Sequence, residues 1–429
     1  MMLIFFCPAR AASQCYDIGP GYPYLNLRDF EWDNLSPGDI VQIHYRTEPY
    51  REKLVIRRSG TKSHPIIVRG ISGSRGELPI IDGDRAVHFQ NMCDEGKYPR
   101  GVIVIGDCRP GDYLTIEGLE IRGANNVNFF KRGGISENYT GNAAGIFLNK
   151  GQHVKIKKCV IHSCGMGILT AYYPDTDKFY LGHSKIYNNG DFTQTRWGHN
   201  VYIGARSTLI EFNRFGELFS DGNNIKDRSH TTVIRYNWIE GGMSRQIDLV
   251  EHGEYRRANA YVYGNVILHG KQVVNPKMIL FGGDLMDETG KSRGSSRSGT
   301  LYFFNNTVLS TLQTNEPFIY LNRYDCSARI YNNAMVGRKK IWFGEGTVIG
   351  SNNFFSSGAE TESFTSSVYG GLEQFDIGRK IPFSPTHLSI LINNGTNRLP
   401  AGVDYMPSAT LEIIKRPKHG PMDIGAFER

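Results

Sequence analysis

Gly198-His199-Asn200-Val201-Tyr202-Ile203-Gly204 runs on to Leu209-Ile210-Glu211-Phe212-Asn213. The chain then repeats that grammar as Gly222-Asn223-Asn224-Ile225-Lys226-Asp227-Arg228 and Val233-Ile234-Arg235-Tyr236-Asn237. Gly198 and Gly222 lie 24 residues apart, and Asn213 and Asn237 keep the same interval, so both ends of the unit stay in register. A unit this short cannot bury its apolar face alone. Stacked on its neighbours, it completes a continuous core and satisfies the strand hydrogen bonds.

The pattern extends in both directions. Before it stands Gly145-Ile146-Phe147-Leu148 to Val154-Lys155-Ile156. After it come Gln246-Ile247-Asp248-Leu249 to Tyr261-Val262-Tyr263-Gly264-Asn265, Met278-Ile279-Leu280-Phe281 to Leu301–Asn306, and Phe318-Ile319-Tyr320-Leu321 to Arg329–Asn333. The Asn closing these units (Asn213, Asn237, Asn265, Asn306, Asn333) and a further one at Asn353 recur at one place in the repeat, which predicts an inward ladder of bonded amides. The fold expected is an all-β, right-handed parallel β-helix: a single elongated solenoid with projecting loops. At 429 residues the chain exceeds the usual size of one compact core, a limit that a solenoid escapes. Its 49 glycines and 12% aromatic residues suit strands and frequent turns.

The expected division is a probable export-signal remnant over 1–14, a cap and first coils over 15–100, the main coils over 101–355, and a C-terminal coil and tail over 356–429. Ala171 to Trp197 and Gly282 to Gly299 read as longer loops. The opening apolar run followed by small residues resembles the end of an export signal, so the protein is expected in the periplasm or outside the cell. No later stretch is long and apolar enough to span a membrane. The seven cysteines show no zinc-type spacing. Cys93 with Cys108, and Cys159 with Cys164, are candidate disulfides, with buried free thiols as the alternative. The formal charge of +7 favours polyanionic partners, but no nucleic-acid motif is visible, so nucleic acid is not expected.

Equivalent positions of stacked coils become neighbours across rungs. Aligning Gly198 with Gly222 and with Ser244 places Val201, Ile225 and Ile247 in one inward row. Strict alternation then turns outward Asn200 with Asn224 and Gln246, and Tyr202 with Lys226 and Asp248. Arg228 belongs to the same face, His199 precedes the first rung, and Arg245, Glu251 and His252 flank the third. Asp227 is turned toward the core, where a carboxylate needs a partner. An ordinary solvated face of Lys–Asp surface pairs is the competing reading.

The run Gly198–Gly204, Gly222–Ser229 and Gln246–Leu249 resembles bacterial secreted right-handed β-helix proteins of the polysaccharide-degrading type, as does the ending Asp423-Ile424-Gly425-Ala426-Phe427-Glu428. More distantly, Ile225-Lys226-Asp227-Arg228-Ser229 with Asn237 is similar to the Lys–Ser segment of chondroitinase-B and alginate-lyase β-helices, which implies a lysine base. That family also carries an arginine on the next rung and acidic calcium ligands, where this chain has Gln246, Asp248 and Val250.

β-Elimination from a uronate polymer needs a base, a cation to stabilise the carboxylate as charge builds on it, and an acid for the leaving oxygen. The expected catalytic set is Lys226 as base, Arg228 against the carboxylate, Tyr202 or His199 as acid, and Asp248. Asn200, Asn224, Gln246, Arg245, Glu251, His252 and Trp197 are expected to bind substrate. A glycoside hydrolase is the second reading, with Asp248 paired to Glu251 or Asp221. A non-catalytic glycan-binding or surface protein is the third. No motif demands a cofactor; calcium on Asp221, Asn223 and Asp248 is the one candidate. The expected partner is an acidic polysaccharide, met by a monomer.

Overall fold

The computed structural model describes residues 13–191, 193, 198–250, 257–269, 273–283, 297–312, 314–378 and 382–429. Three long, mainly parallel sheets, two of 13 strands and one of 11, run the length of the molecule. Each central coil gives one strand to each. The first sheet contains His199–Gly204, Ile225–Asp227 and Ile247–Leu249; the second contains Ser207–Glu211, Thr231–Arg235 and Ala260–Tyr263; the third contains Arg214–Phe215, Trp238–Ile239 and Val266–His269. Helical structure among the described residues is confined to short 3-10 turns.

The expected register holds. Val201 pairs with Ile225 and Ile225 with Ile247, and all three are fully buried in the main core. Burying each such side chain contributes about 1.5–3 kcal/mol, and the stack adds these terms coil by coil. Gly198 and Gly222 recur because neighbouring turns touch there: a Cβ on Gly222 would sit 1.4 Å from the Gly198 carbonyl oxygen.

The asparagine ladder closes the corner between the second and third sheets. Asn213 Nδ2 donates to Asn237 Oδ1, Asn237 to Asn265, Asn265 to Asn306, Asn306 to Asn333 and Asn333 to Asn353, at 3.0–3.2 Å. Each Oδ1 also accepts the backbone N–H of the preceding ladder residue. Ser184 and Cys159 continue the series toward the N-terminus: Ser184 N–H donates to Asn213 Oδ1, and Cys159 N–H to Ser184 Oγ. The residue before each asparagine is left-handed, as at Phe212 and Tyr236, and their stacked rings form an outer apolar seam at this corner.

The tail packs along that seam. Val403 joins Phe212, Tyr236 and Tyr263, while Met406, Ala426 and Phe427 cover Trp238 and Val266. Buried Arg416 closes the final turn by donating to Glu428 at 2.8 Å and to the carbonyls of Asp423 and Phe427. At the other end of the first sheet, the hairpin of Phe129–Arg132 and Ile135–Asn138 pairs with Ala86–His88 and covers an edge that would otherwise be open.

One sequence expectation changes, and the cysteine alternatives are resolved. Ala171 to Asp191 form an ordinary coil, with strands at Met166–Tyr172, Phe179–Gly182 and Lys185–Tyr187, because Ile168, Phe179, Leu181 and Ile186 supply inward residues. Cys93 and Cys108 are bonded, whereas Cys159 and Cys164 are separate buried thiols. The signal remnant up to residue 12 and the stretch 284–296 lie outside the described residues.

Candidate functional site

On the outer face of the first sheet, Tyr202 pairs with Lys226 and Lys226 with Asp248, so these three occupy successive rungs of one row. Tyr202 and Lys226 are half-buried, whereas Asp248 is wholly covered. Its carboxylate is held from three sides. Lys226 Nζ lies 3.3 Å from Oδ2, Arg245 Nη1 lies 3.3 Å from Oδ1, and Asn223 Nδ2 donates to Oδ2 at 2.9 Å. Such charge-assisted bonds fix the heads of both flexible cations.

Tyr202 is anchored from the other direction. Arg228 Nε donates to its hydroxyl at 2.7 Å, and the hydroxyls of Tyr172 and Tyr202 lie 2.6 Å apart. Burial, reinforced by Tyr202, pushes the Tyr172 phenol well above its ordinary range. Guanidinium and ammonium groups also stand near the Tyr202 ring, with Arg228 at 5.6 Å and Lys226 at 6.0 Å from its centroid. His199 lies against the same ring at 5.7 Å. The His199 side chain is buried, its Nδ1 accepts the Asn223 N–H, and burial with Lys226 nearby pulls its pKa down to about 3. The ring is therefore neutral at pH 7, with its proton on Nε2. His199 supports Asn223, which in turn supports Asp248.

Beneath this surface Asp227 does point inward, and it has the partner that a buried carboxylate requires. It accepts from Ser229 Oγ at 2.6 Å and from Thr232 Oγ1, and Arg297 Nη1 lies 3.8 Å away. Arg297 is itself fully buried and donates to the carbonyls of Ala258 and Asn259. Burial raises the Asp227 pKa and lowers that of Arg297 to about 10, while each charge opposes the shift of the other. This internal pair fixes the strand segment whose neighbours, Lys226 and Arg228, face outward.

Several site expectations need correction. Asn200, Asn224 and Gln246 are fully buried and do not face substrate. They form a second amide ladder at the corner between the third and first sheets: Asn189 donates to Asn200 at 2.9 Å, Asn200 to Asn224 at 2.6 Å, and Asn224 to Gln246 at 2.7 Å. Alternation stops at this corner because the bending chain turns consecutive side chains inward. Asp248 shares the predicted row but is sealed by its donors, so it orients other groups instead of touching a ligand. His199 is excluded as an exposed acid by the same burial.

The donors around Asp248 also argue against calcium. Both its oxygens receive N–H groups, and Asn223 Oδ1 accepts the Arg245 N–H at 3.0 Å. Two cations already stand where calcium would bind. Hydrolysis with Asp248 and Asp221 likewise loses its exposed carboxylate at Asp248. Glu251, His252 and Trp197 lie outside the described residues. Arg297, the counter-ion of Asp227, escaped the sequence reading.

Comparison with known proteins fits this architecture. The family model described as "Right handed beta helix region" matches residues 101–284. No curated protein matches the sequence. Among solved structures, pectate lyase Pel9A aligns with a TM-score of 0.54 and 13% identity over 98% of each chain. Looser matches include a mannuronic acid specific polysaccharide family 6 lyase from human gut microbiota, with a TM-score of 0.46 and 13% identity over 83% of this chain and 91% of that one. Another is the GH136 lacto-N-biosidase from Eubacterium ramulus, with a TM-score of 0.44 and 13% identity over 80% of this chain and 68% of that one. Polysaccharide lyases and glycoside hydrolases thus stand among the structural neighbours, and what this chain shares with Pel9A at such low identity is the fold: a right-handed parallel β-helix.

Proposed function

We propose that the protein is an exported enzyme that cleaves a uronate-containing polysaccharide by β-elimination over the Tyr202–Lys226 rungs. The observation that carries this reading is that Lys226 and Arg245 bracket the buried Asp248 carboxylate while Arg228, on the same face, donates to the Tyr202 hydroxyl. Arg228 and Arg245 supply guanidinium groups of the kind that pair with a sugar carboxylate. Arg228, already aimed across Tyr202, is placed to take that carboxylate with its planar fork.

In this scheme the Lys226 side-chain nitrogen takes the C5 proton of the uronate. The C5–H electron pair becomes the C4–C5 double bond, and the C4–O bond breaks toward the leaving sugar. Tyr202 donates its phenolic proton to that oxygen, and Arg228 stabilises the negative charge that builds on the carboxylate during proton removal. Asp248 and Asn223 are positioning residues that hold Lys226 and Arg245. The Cys93–Cys108 bond suits an oxidising compartment and supports export.

The test is incubation with a panel of acidic polysaccharides, followed by unsaturated-uronide absorbance. The wild type is expected to generate absorbance, and Lys226→Gln to lose it by roughly 100-fold or more, as removal of a general base does. Undiminished cleavage by folded Lys226→Gln removes Lys226 from the mechanism. Reducing ends without absorbance would establish hydrolysis, and retention without either product a glycan-binding protein.

A further inference from the structure

The second sheet has an outer face of its own, apart from that of Tyr202 and Lys226. Through Arg235 the cations on one row of this face are neutralised by carboxylates of nearby coils: Arg69 and Lys157 hold Glu117, and Arg235 holds Glu211. Beyond Arg235 that pattern ends. Tyr261, Tyr302 and Arg329 occupy successive rungs of the neighbouring row, and the C-terminal tail divides the face beside them. Leu399, Ala401 and Val403 pack over buried Tyr263 and Phe304. Arg398 and Pro400 instead border an open cleft of about 370 Å³ with Tyr261, Tyr302, Arg329 and Tyr331. That volume suits a small ligand or one unit of a polymer.

Among the described residues no carboxylate lines this cleft. Arg329 and Arg398 are both exposed, and neither guanidinium makes a hydrogen bond or ion pair with a described residue. The same holds for the hydroxyls of Tyr261, Tyr302 and Tyr331. Under the tail the phenols are bonded: Tyr263 accepts from Arg235 at 2.9 Å, and Tyr236 accepts the Asp404 N–H at 3.0 Å. Tyr261 and Tyr302 lie parallel with centroids 4.7 Å apart, so each ring fixes the other. A guanidinium takes a carboxylate through two parallel N–H···O bonds, and a phenol both donates and accepts. A sugar acid, with one carboxylate and several hydroxyls, answers both kinds of group.

We propose that this cleft on the second sheet is a second, noncatalytic site for a sugar acid of an acidic polysaccharide, with Arg329 and Arg398 pairing to carboxylate and the tyrosines to hydroxyls. It lies on a different face from the Tyr202–Lys226 rungs, so the sugar held there is not the one cleaved. The identity of the ligand rests on the uronate-lyase reading, but binding in the cleft can be measured without cleavage.

The experiment uses the full chain and two double variants, Arg329→Gln/Arg398→Gln and Arg329→Lys/Arg398→Lys. Polygalacturonate and alginate are the probes and dextran the neutral control, read by retardation in polysaccharide-containing native gels, with cleavage of uronate trimers measured in parallel. The glutamine pair is expected to bind acidic polymer about tenfold more weakly, in keeping with two exposed ion pairs. The lysine pair keeps the charge but loses the planar fork, so its binding is expected to fall between. Trimer cleavage and the urea midpoint are expected to match the wild type, because neither side chain bonds a described residue. Retardation of the glutamine pair or of the lysine pair equal to the wild type, equal retardation by dextran, or no retardation of the wild type by either acidic polymer would each overturn the site. A parallel loss of trimer cleavage would overturn it too, by placing both arginines in the catalytic centre. Retardation that depends on both arginines, without cleavage by the wild type, would uphold the site and sink the lyase reading; cleavage without such retardation would do the reverse.

Discussion

Arg297→Met tests the internal ion pair beneath the site. The substitution keeps an apolar stem of similar length and removes the guanidinium 3.8 Å from Asp227, leaving a wholly buried carboxylate with the hydroxyls of Ser229 and Thr232. Breaking a buried pair from one side typically costs about 3–5 kcal/mol. It also removes the donors to the Ala258 and Asn259 carbonyls, so the upper half of that range is expected. Asp227→Asn leaves the opposite charge buried and should cost about 2–4 kcal/mol, being cushioned by an amide that still bonds its hydroxyl neighbours. The double variant should be more stable than the two losses added together, by about 1–3 kcal/mol of coupling. Urea unfolding of the four proteins closes the cycle. If Arg297→Met lies within 1 kcal/mol of the wild type, or the losses simply add, the pair does not hold the site strand as argued.

Two more predictions concern the scaffold. Asn237→Ala removes the acceptor of the Asn213 N–H and Nδ2 and the donor to Ile210, Arg235 and Asn265, all in a buried corner. A loss of about 2–5 kcal/mol is expected from several orphaned groups, and urea unfolding indistinguishable from the wild type would contradict the ladder. Burial holds the pKa of His88 and of His199 at about 3, and that of His269 at about 4. The unfolded chain binds these protons near pH 6.5 while the folded chain resists them, so the stability these histidines contribute is whole above about pH 6.5 and declines as pH falls toward 4. The urea midpoint should drop between pH 7.5 and 5, and His88→Leu should flatten that drop. An unchanged midpoint would show that these rings become protonated without cost.

The 24-residue interval, the inward row of Val201, Ile225 and Ile247, and the Asn213-to-Asn353 ladder were legible because stacking turns a one-dimensional period into contact between equivalent residues. The same logic placed Tyr202, Lys226 and Asp248 on one row. It failed at Asn200, Asn224 and Gln246, because two-residue alternation describes a straight strand and these residues sit where the coil bends. The sequence by itself therefore determined the solenoid, its register and the face on which the polar residues gather, all of which follow from local periodicity. Only the tertiary structure decided which of those residues meet solvent, that Asp248 is sealed by Lys226, Arg245 and Asn223, and that Arg297 answers Asp227 from 70 residues away, since burial and counter-ions depend on how separate coils close over one another.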